Sequence, residues 1–322
     1  MTESNPLQVA SSPHINRPSC TTQRVMIDVL LGLLPVICVS IYVFQWYAVQ
    51  QLGICVLICL AMESLCCLMR GRKTTITDGS ACVTGIILAL SLPPTCPVYI
   101  SIIASIVAIG IGKMVFGGLG CNIFNPAMVG RAFVMLSFAA SMGAGGYVLT
   151  GDGCLSVLTQ ATPLTSAAEA AEPLGRDLFW PLFLGNVNGS LGETSALALL
   201  LGGLYLWRRR ALAWEIPVTI ILSGLFFGWL AYFFSMTEIV PGMQIISGAF
   251  LFGAIFIATD PVTSPLSHRG NIIFGVGVAF FTTVFRFVSN YPEGIMFAVL
   301  LMNTMVPLIN HWTIPRPLGG RG

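Results

Sequence analysis

Residues 25–44 read VMIDVLLGLLPVICVSIYVF, and residues 48–69 read AVQQLGICVLICLAMESLCCLM. Each run is apolar over about the 20 residues that a helix needs to cross the hydrocarbon core of a bilayer. Other apolar runs follow them: full-length ones at 98–116, 214–234, 271–289 and 293–310, and shorter ones at 79–92, 124–140, 195–207 and 243–258. The sequence therefore predicts an all-α integral membrane protein with about ten transmembrane helices.

The composition agrees with a membrane protein. Of 322 residues, 55% are hydrophobic and 9% are charged, whereas soluble domains carry about 25% charged residues. The apolar runs extend from end to end, so we expect one membrane domain over 25–310, with tails at 1–24 and 311–322. The first tail lacks the apolar core and cleavage site of a signal peptide. A net charge of +2 is too small to indicate a nucleic-acid partner.

The basic residues orient the bundle, because cytoplasmic loops of membrane proteins carry an excess of Lys and Arg. With the N-terminal tail in the cytoplasm, alternation of the spans places eleven basic residues inside: Arg17, Arg24, Arg70, Arg72, Lys73, Arg208, Arg209, Arg210, Arg269, Arg316 and Arg321. Only Arg176 falls on an external loop. Both termini are then cytoplasmic, and the long 141–178 loop is periplasmic.

Four of the predicted spans are short and interrupted by Gly and Pro. Irregular backbone at membrane depth is tolerated where protein or a cavity satisfies it, so short spans indicate an internal site. Gly85-Ile-Ile-Leu-Ala-Leu-Ser-Leu-Pro93 resembles Gly253-Ala-Ile-Phe-Ile-Ala-Thr-Asp-Pro261, and the predicted topology runs these two segments in opposite directions. We therefore expect a five-plus-five inverted repeat with short broken helices, urea-transporter-like, and a site near the repeat interface.

One glycine-rich segment carries a candidate binding site. Residues 112–131 read GKMVFGGLGCNIFNPAMVGR. Asn125 is placed to cap a helix that has Pro126 in its first turn. A helix start with Arg131 nearby suits an anionic or electron-rich group. The alternative is a tight re-entrant turn between spans.

Ionisable residues at membrane depth are expensive and form the second group of candidates. Glu193 either caps the short span at 195–207 or faces a cavity, and Arg286 lies near the outer end of a span. Glu63, Asp78 and Asp260 are candidates for an ion path, since Asp78 and Asp260 flank the short spans of the repeat. Helix capping and interface anchoring compete with a functional role for each residue.

The sequence contains none of the common catalytic motifs. The ten cysteines show no metal-ligand spacing, and Cys55, Cys59, Cys66 and Cys67 lie in an apolar run, where cysteine behaves as a small buried hydrophobe. We assign no catalytic residue and no metal ligand.

Four segments resemble the D subunit of the Rnf ion-translocating oxidoreductase complex: 112–131, GSLGETSALALLLGGLY at 189–205, ATDPVTSPLSHRGNIIFGVG at 258–277 and YPEGIMFAVLLMNTMVPLI at 291–309. The resemblance extends from about residue 25 to 315. The related B subunit of the sodium-translocating NADH:quinone reductase shares part of the pattern, but it has an N-terminal extension that is absent here, so the Rnf subunit is favoured.

The resemblance implies a flavoprotein of the bacterial inner membrane. The family holds FMN by a phosphoester bond to a threonine that ends a Ser-x-Ala-Thr-type motif, which reads Thr159-Gln-Ala-Thr162 here. FMN is therefore expected on Thr162, and Asn125, Arg131, Glu193 and Arg286 are further candidates for cofactor binding. The resemblance also implies noncovalent riboflavin. The implied partners are the other Rnf subunits, including a second covalent-FMN subunit and iron–sulfur subunits, and membrane lipid.

The implied function is electron transfer between ferredoxin-side and NAD-side partners, coupled to sodium or proton translocation. Two other functions remain open, because fold alone does not determine function. A channel or transporter of the urea-transporter kind has the same five-plus-five architecture, and a scaffold subunit would hold no cofactor. Covalent flavin on Thr162 separates the first hypothesis from both.

Overall fold

The computed structural model describes residues 21–71, 75–142, 145–151, 154–160, 179–184, 189–234, 241–246, 249–288 and 294–313. The first half contains α1 (Thr22–Phe44), α2 (Trp46–Met69), a short 3₁₀ turn (Ile76–Asp78), α3 (Ser80–Ser91), α4 (Val98–Ile109) with a π-helical extension (Gly110–Met114), α5 (Pro126–Ser137) and α6 (Ala139–Met142). A hairpin follows, formed by β1 (Gly145–Gly151) and β2 (Cys154–Gln160).

The second half begins with the short helix α7 (Phe179–Leu184). It continues with α8 (Ala196–Arg209), α9 (Glu215–Phe233), α10 (Pro241–Ile246), α11 (Phe250–Phe252) with a π-helical extension (Gly253–Ile257), α12 (His268–Val288) and α13 (Ile295–Thr313). Each predicted span overlaps at least one described helix, and the predicted 243–258 span covers both α10 and α11. Within the described residues, four helices, α1, α2, α9 and α13, are long and apolar enough to cross a membrane.

The helices form two groups with a similar packing order. In the first group α2 packs on α3 and α4, and α4 packs on α5; in the second, α9 packs on α10 and α12, and α12 packs on α13. The groups meet where α1 packs on α8 and where α5 contacts α13. The core lies between them and contains aliphatic and aromatic side chains from both, such as Leu33, Leu88 and Phe274.

Glycines allow the closest of these contacts. A Cβ atom on Gly202 of α8 would collide with the carbonyl oxygen of Gly32 on α1 and would lie 2.8 Å from Cζ of Phe256. A Cβ atom on Gly130 of α5 would lie 2.8 Å from Cβ of Ala108 on α4. Both helix pairs therefore pack backbone against backbone, as small residues permit in membrane bundles.

Breaks in the helices have local causes. Leu92, before Pro93, adopts an extended conformation and ends α3, as a residue before proline tends to do. Asn125 caps α5 as predicted: its Oδ1 accepts from the N–H groups of Ala127 (3.1 Å) and Met128 (3.4 Å), and Pro126 occupies the first helical position. The cysteines of α2 are also placed as predicted, since Cys55 and Cys59 are buried among apolar side chains.

The hairpin lies within the predicted 141–178 loop and was not foreseen. β1 and β2 pair antiparallel, with Gly151 opposite Cys154 and Gly146 opposite Thr159. The sequence held the signal for it, because an Asp-Gly pair between two runs rich in β-branched residues favours a two-residue hairpin turn. That pair, Asp152-Gly153, lies outside the described residues.

Candidate functional site

The first charged cluster is a buried ion pair between α2 and the π-helical extension of α4. The ammonium group of Lys113 donates to both carboxylate oxygens of Glu63, at 2.8 Å and 2.9 Å, and to Oγ of Ser80 at 2.6 Å. Neither charged side chain is more than 2% exposed. The π-helical turn carries Lys113 into the bundle, and such turns are frequent at functional sites. Three strong hydrogen bonds satisfy an ammonium group that would otherwise be costly to bury.

Hydrogen bonds extend this cluster toward the start of α3. Thr75 donates from Oγ1 to Glu63. Asp78 accepts at Oδ1 from the backbone N–H (2.9 Å) and the hydroxyl (2.6 Å) of Ser80. Ser80 thus links Lys113 to Asp78, and the network holds two carboxylates and one ammonium group. The structure therefore joins two of the predicted ion-path residues, Glu63 and Asp78.

A cavity of about 60 Å³ lies beside this network, between the two helix groups. Its walls include Lys113, Asn122, Asn125 and Asp260. The cavity is large enough for a few water molecules. Oδ1 of Asn122 is buried without a hydrogen-bond partner among the described residues, so the cavity contains an acceptor that a ligand or water can satisfy.

Two amides connect the helix groups next to this cavity. The Nδ2 group of Asn125 donates to the carbonyl of Ile257 at 3.3 Å. Only one orientation of the Asn303 amide, on α13, forms hydrogen bonds with its neighbours. In that orientation its nitrogen donates to the carbonyl of Thr263 (3.2 Å), and its oxygen accepts from the N–H of Asn125 (3.2 Å). These bonds satisfy backbone groups that the broken helices release at membrane depth.

The second charged cluster contains three of the predicted cofactor-binding residues. Glu193 lies 3.8 Å from the guanidinium of Arg131, and both side chains are buried. Arg286 donates to the carbonyl of Gln244 at 2.6 Å, and its guanidinium lies 5.4 Å from the ring centre of Phe250. Glu193 interacts electrostatically with both arginines. The structure thus brings Arg131, Glu193 and Arg286 together across the two halves.

This second cluster also contains polar atoms that lack partners. Ser190 Oγ, Thr194 Oγ1 and Oε1 of Glu193 are buried with no hydrogen-bond partner among the described residues. The segment that carries them is fixed in place, because the N–H of Gly192 donates to the carbonyl of Leu90 at 2.7 Å. Buried hydroxyls without partners are costly, so this arrangement favours a polar ligand.

The remaining predictions have different outcomes in the structure. Glu193 does not cap α8; the cap is Ser195, whose side chain accepts from the N–H of Ala198 at 3.2 Å. The reason is that Ser195 immediately precedes the helix, whereas Glu193 turns into the protein interior. Asp260 accepts from the N–H of Val262 and the hydroxyl of Thr263, so it closes a turn as well as lining the cavity. Thr162 lies outside the described residues.

Lys113 is the residue that sequence reasoning missed. The sequence contained a signal, since a lysine at the end of an apolar run needs a buried anion, and Glu63 already stood out as a carboxylate within a span. The two residues are 50 positions apart, and their pairing depends on how α2 and α4 pack.

These features define a class of protein. Charged residues inside a bundle of apolar helices mark paths for ions or protons and sites for charged ligands. The protein is therefore an integral membrane protein with internal charged sites, one within the first helix group and one where the two groups meet.

The chain belongs to the NQR2, RnfD, RnfE family, whose model matches residues 8–319. Among its relatives, the D subunit of the Na(+)-translocating ferredoxin:NAD(+) oxidoreductase complex of Acetobacterium woodii is 39% identical over 97% of this chain and 95% of its own length. The proton-translocating counterpart from Clostridium ljungdahlii is 37% identical over 98% and 97%. The D subunit of the ion-translocating oxidoreductase complex of Stutzerimonas stutzeri is 38% identical over 93% and 92%.

Proposed function

We propose that this chain is the D subunit of an ion-translocating ferredoxin:NAD oxidoreductase complex and carries electrons on FMN bound covalently to Thr162. Membership of the NQR2, RnfD, RnfE family carries the proposal, together with near full-length relatives that bear this subunit's name. The Thr159-Gln-Ala-Thr162 segment supplies the attachment site that the resemblance implies. The partners are the other Rnf subunits, including a second covalent-FMN subunit and iron–sulfur subunits.

The hairpin provides a regular element just before the proposed attachment segment. β2 ends at Gln160, two residues before the threonine, so a regular element precedes the attachment segment. The hairpin also begins close after α5, whose last residue is Ser137. Arg131 lies six residues before that end, which is about 9 Å along the helix axis. We propose that the FMN tether follows the end of α5 that leads into the hairpin, and Arg131 lies near the middle of that helix.

The second cluster fits a flavin in its chemistry. Arg131 and Arg286 supply positive charge, and Ser190 and Thr194 supply hydroxyls that can donate to ring carbonyls. FMN supplies the redox chemistry when it is bound. The protein residues position the ring, and the guanidinium groups of Arg131 and Arg286 can interact with its carbonyl oxygens. A covalent tether also removes the translational entropy cost of holding the flavin.

The cavity beside Lys113 is the candidate position for noncovalent riboflavin. The unpaired acceptor of Asn122 matches a ring N–H donor, and Asn125 lies next to it. At about 60 Å³ the cavity is smaller than the roughly 300–1,000 Å³ of sites for drug-sized ligands. Binding of a flavin ring therefore requires its walls to open. The neighbouring glycines 117, 118 and 120 have positive φ and provide adaptable backbone.

The same region is the proposed ion path. Glu63 and Asp78 belong to the buried network, and Asp260 lines the adjoining cavity. Lys113 neutralises one of these carboxylates, so Asp78 and Asp260 are the acids without a cationic partner among the described residues. The relatives named above include one sodium-translocating and one proton-translocating complex at similar identity, so overall similarity does not assign the ion.

The two helix groups support a five-plus-five inverted repeat of ten spans. Their packing order is alike, and the repeat pairs the first spans of the two halves, α1 and α8, and the last spans, α5 and α13. Both pairs are in contact. The two segments of the sequence repeat fall on corresponding elements, since 85–91 lies in α3 and 253–257 in the extension of α11.

Peptide mapping of the purified complex tests the proposed function. The chain is digested, and its peptides are analysed by mass spectrometry while ferredoxin-dependent NAD reduction is measured on the same preparation. The proposal requires the peptide that contains residues 159–162 to carry the mass of FMN as a phosphoester. An active complex in which this peptide is unmodified, or in which another residue carries the flavin, would contradict it.

A further inference from the structure

A second, larger cavity opens at the end of the bundle where α8 ends and α12 begins. It encloses about 820 Å³, and its walls come from the 207–215 segment, the 259–266 turn and the first turn of α12. It shares Ala211, Leu212, Thr259 and Pro261 with the smaller cavity beside Lys113 but contains neither of the charged clusters described above. The proposed electron and ion functions leave its residues unassigned.

The walls of this cavity carry free positive charge. Arg208 and Arg210 line it and form no ion pair within the described part of the chain. The arginine between them is used elsewhere, since Nε of Arg209 contacts Asp28 at 3.0 Å. The acid in the wall, Glu215, is already engaged with Nδ1 of His268 at 2.6 Å. The cavity therefore attracts an anion.

One further observation distinguishes this cavity from an ordinary run of basic residues at a helix end. Asn271 is 6% exposed, and its Oδ1 has no hydrogen-bond partner among the described residues. Arg210 ends α8 in a left-handed conformation, with φ of 55°, which is common at helix C-termini. A ligand would thus meet two cations and one acceptor that needs a donor.

We propose that this cavity binds the headgroup of an anionic phospholipid of the phosphatidylglycerol type. Arg208 and Arg210 hold the phosphate, and a glycerol hydroxyl donates to Oδ1 of Asn271. Trp207 and Trp214 flank the cavity and are more than half exposed, as tryptophans at the membrane–water interface are. Basic pockets between helices on the cytoplasmic side bind such headgroups. The assignment to the inner leaflet rests on the cytoplasmic orientation proposed for Arg208 and Arg210.

The segment that follows α13 does not match the charge of this cavity. Residues 314–322 follow α13, whose Thr313 contacts Ser267 at 2.6 Å next to the cavity wall. This segment contains Arg316 and Arg321 and no acidic side chain, so its side chains do not complement two arginines. In a phospholipid of this type, the phosphate matches the two arginines and the free hydroxyl matches the acceptor of Asn271. The acyl chains match the interfacial position of the cavity.

Native mass spectrometry of the purified, delipidated complex tests the proposal. Palmitoyl-oleoyl phosphatidylglycerol is added, and its adducts on this subunit are compared with those of the matching phosphatidylcholine and phosphatidic acid. Arg210→Gly should keep the turn, because glycine adopts a positive φ without strain. It should weaken phosphatidylglycerol binding by about tenfold, as loss of a charged hydrogen bond does. Asn271→Leu should weaken phosphatidylglycerol but leave phosphatidic acid, which lacks the hydroxyl, unchanged.

The control is Arg70→Gln, at the exposed end of α2 outside the cavity, which should bind like the unaltered protein. Equal binding of phosphatidylcholine and phosphatidylglycerol would overturn the proposal, and so would full retention of phosphatidylglycerol by folded Arg210→Gly. Displacement of the lipid by an equal concentration of inorganic phosphate would show that the cavity recognises free phosphate, and would also overturn it. If an acidic protein surface occupied the cavity instead, the Arg210→Gly complex would lose a partner subunit while its lipid binding stayed unchanged.

Discussion

At the scale of single residues, the two buried charged clusters differ in how their polar atoms are satisfied. The Glu63–Lys113 pair is saturated with hydrogen bonds. The Arg131–Glu193–Arg286 cluster adjoins two hydroxyls, of Ser190 and Thr194, that have no hydrogen-bond partner among the described residues. A saturated pair contributes to structure, whereas an unsaturated cluster is prepared for a ligand. This difference motivates the assignment of the flavin to the second cluster.

The first cluster predicts that one substitution lowers stability strongly and that a second substitution restores it. Glu63→Gln leaves the ammonium of Lys113 buried without its anion, which should lower stability by about 3–5 kcal/mol. Adding Lys113→Met should recover most of that loss, because an apolar pair of similar size replaces the ions. Thermal unfolding of the detergent-purified subunit, followed by its intrinsic fluorescence, measures both. Equal stability of the unaltered protein and Glu63→Gln would show that the pair is not buried as described.

The prediction about the ion path concerns Asp78 and Asp260, the two acids without a cationic partner among the described residues. Asp260→Asn keeps the shape of the turn but removes the charge beside the cavity. Electron transfer by the complex should persist or slow, while its stimulation by the coupling ion weakens. The measurement is ferredoxin-dependent NAD reduction against sodium concentration and pH, with Asp78→Asn in parallel. Normal ion dependence in both variants, at full activity, would remove these residues from the path.

How far the site could be predicted from the sequence depended on the range of each interaction. The cap by Asn125 was predicted because it involves the next three residues. The candidates Glu63, Arg131, Glu193 and Arg286 were found because a charge in an apolar run is conspicuous. Their partners were not predicted, since each is distant in the sequence, and Glu193 contacts Arg131 on α5 rather than the adjacent helix start.

At the scale of secondary structure elements, close helix contacts depend on glycine. Gly202→Ala should force α8 away from α1 and lower stability by about 1–3 kcal/mol, the usual cost of overpacking. Gly53→Ala, on α2, is the matched control, since nothing lies within 4 Å of its added carbon. Its stability should be unchanged or slightly higher. The same thermal unfolding assay compares them, and equal stability of the two variants would refute the close α1–α8 contact.

At the same scale, helices were easier to predict than the hairpin. Long apolar runs predicted the helices, and prolines such as Pro93 predicted where they break. β1 and β2 are polar enough to read as a loop, and only the intervening Asp152-Gly153 indicated a turn between strands. Apolar periodicity therefore predicted the membrane domain but not the element that precedes Thr162.

At the scale of the whole molecule, contacts between helix ends match the grouping that alternation of the predicted spans requires. Alternation assigns the start of α1, the end of α8, the starts of α9 and α12 and the end of α13 to the cytoplasm. Contacts join these ends: Asp28 with Arg209, Glu215 with His268, and Ser267 with Thr313. Alternation and packing thus lead to the same grouping of helix ends.

The orientation itself predicts the result of a reporter experiment. A reporter fused near Gly175 should score as periplasmic, and one fused after Arg210 as cytoplasmic, because eleven basic residues lie on the proposed inner segments and one on the outer loops. Alkaline phosphatase and green fluorescent protein fusions report the two sides. The reverse pattern would move Thr162 to the cytoplasm and the phospholipid cavity to the outer leaflet.

The central claim is that the protein carries FMN on Thr162, and fluorescence of the denatured subunit under ultraviolet light tests it most directly. The account predicts a fluorescent band for the unaltered chain and for Thr159→Ala, because the hydroxyl of Thr159 is not esterified. It predicts no fluorescent band for Thr162→Ala that has been inserted in the membrane in normal amount. Undiminished fluorescence of Thr162→Ala, or no fluorescence from the unaltered chain in an active complex, would contradict the account.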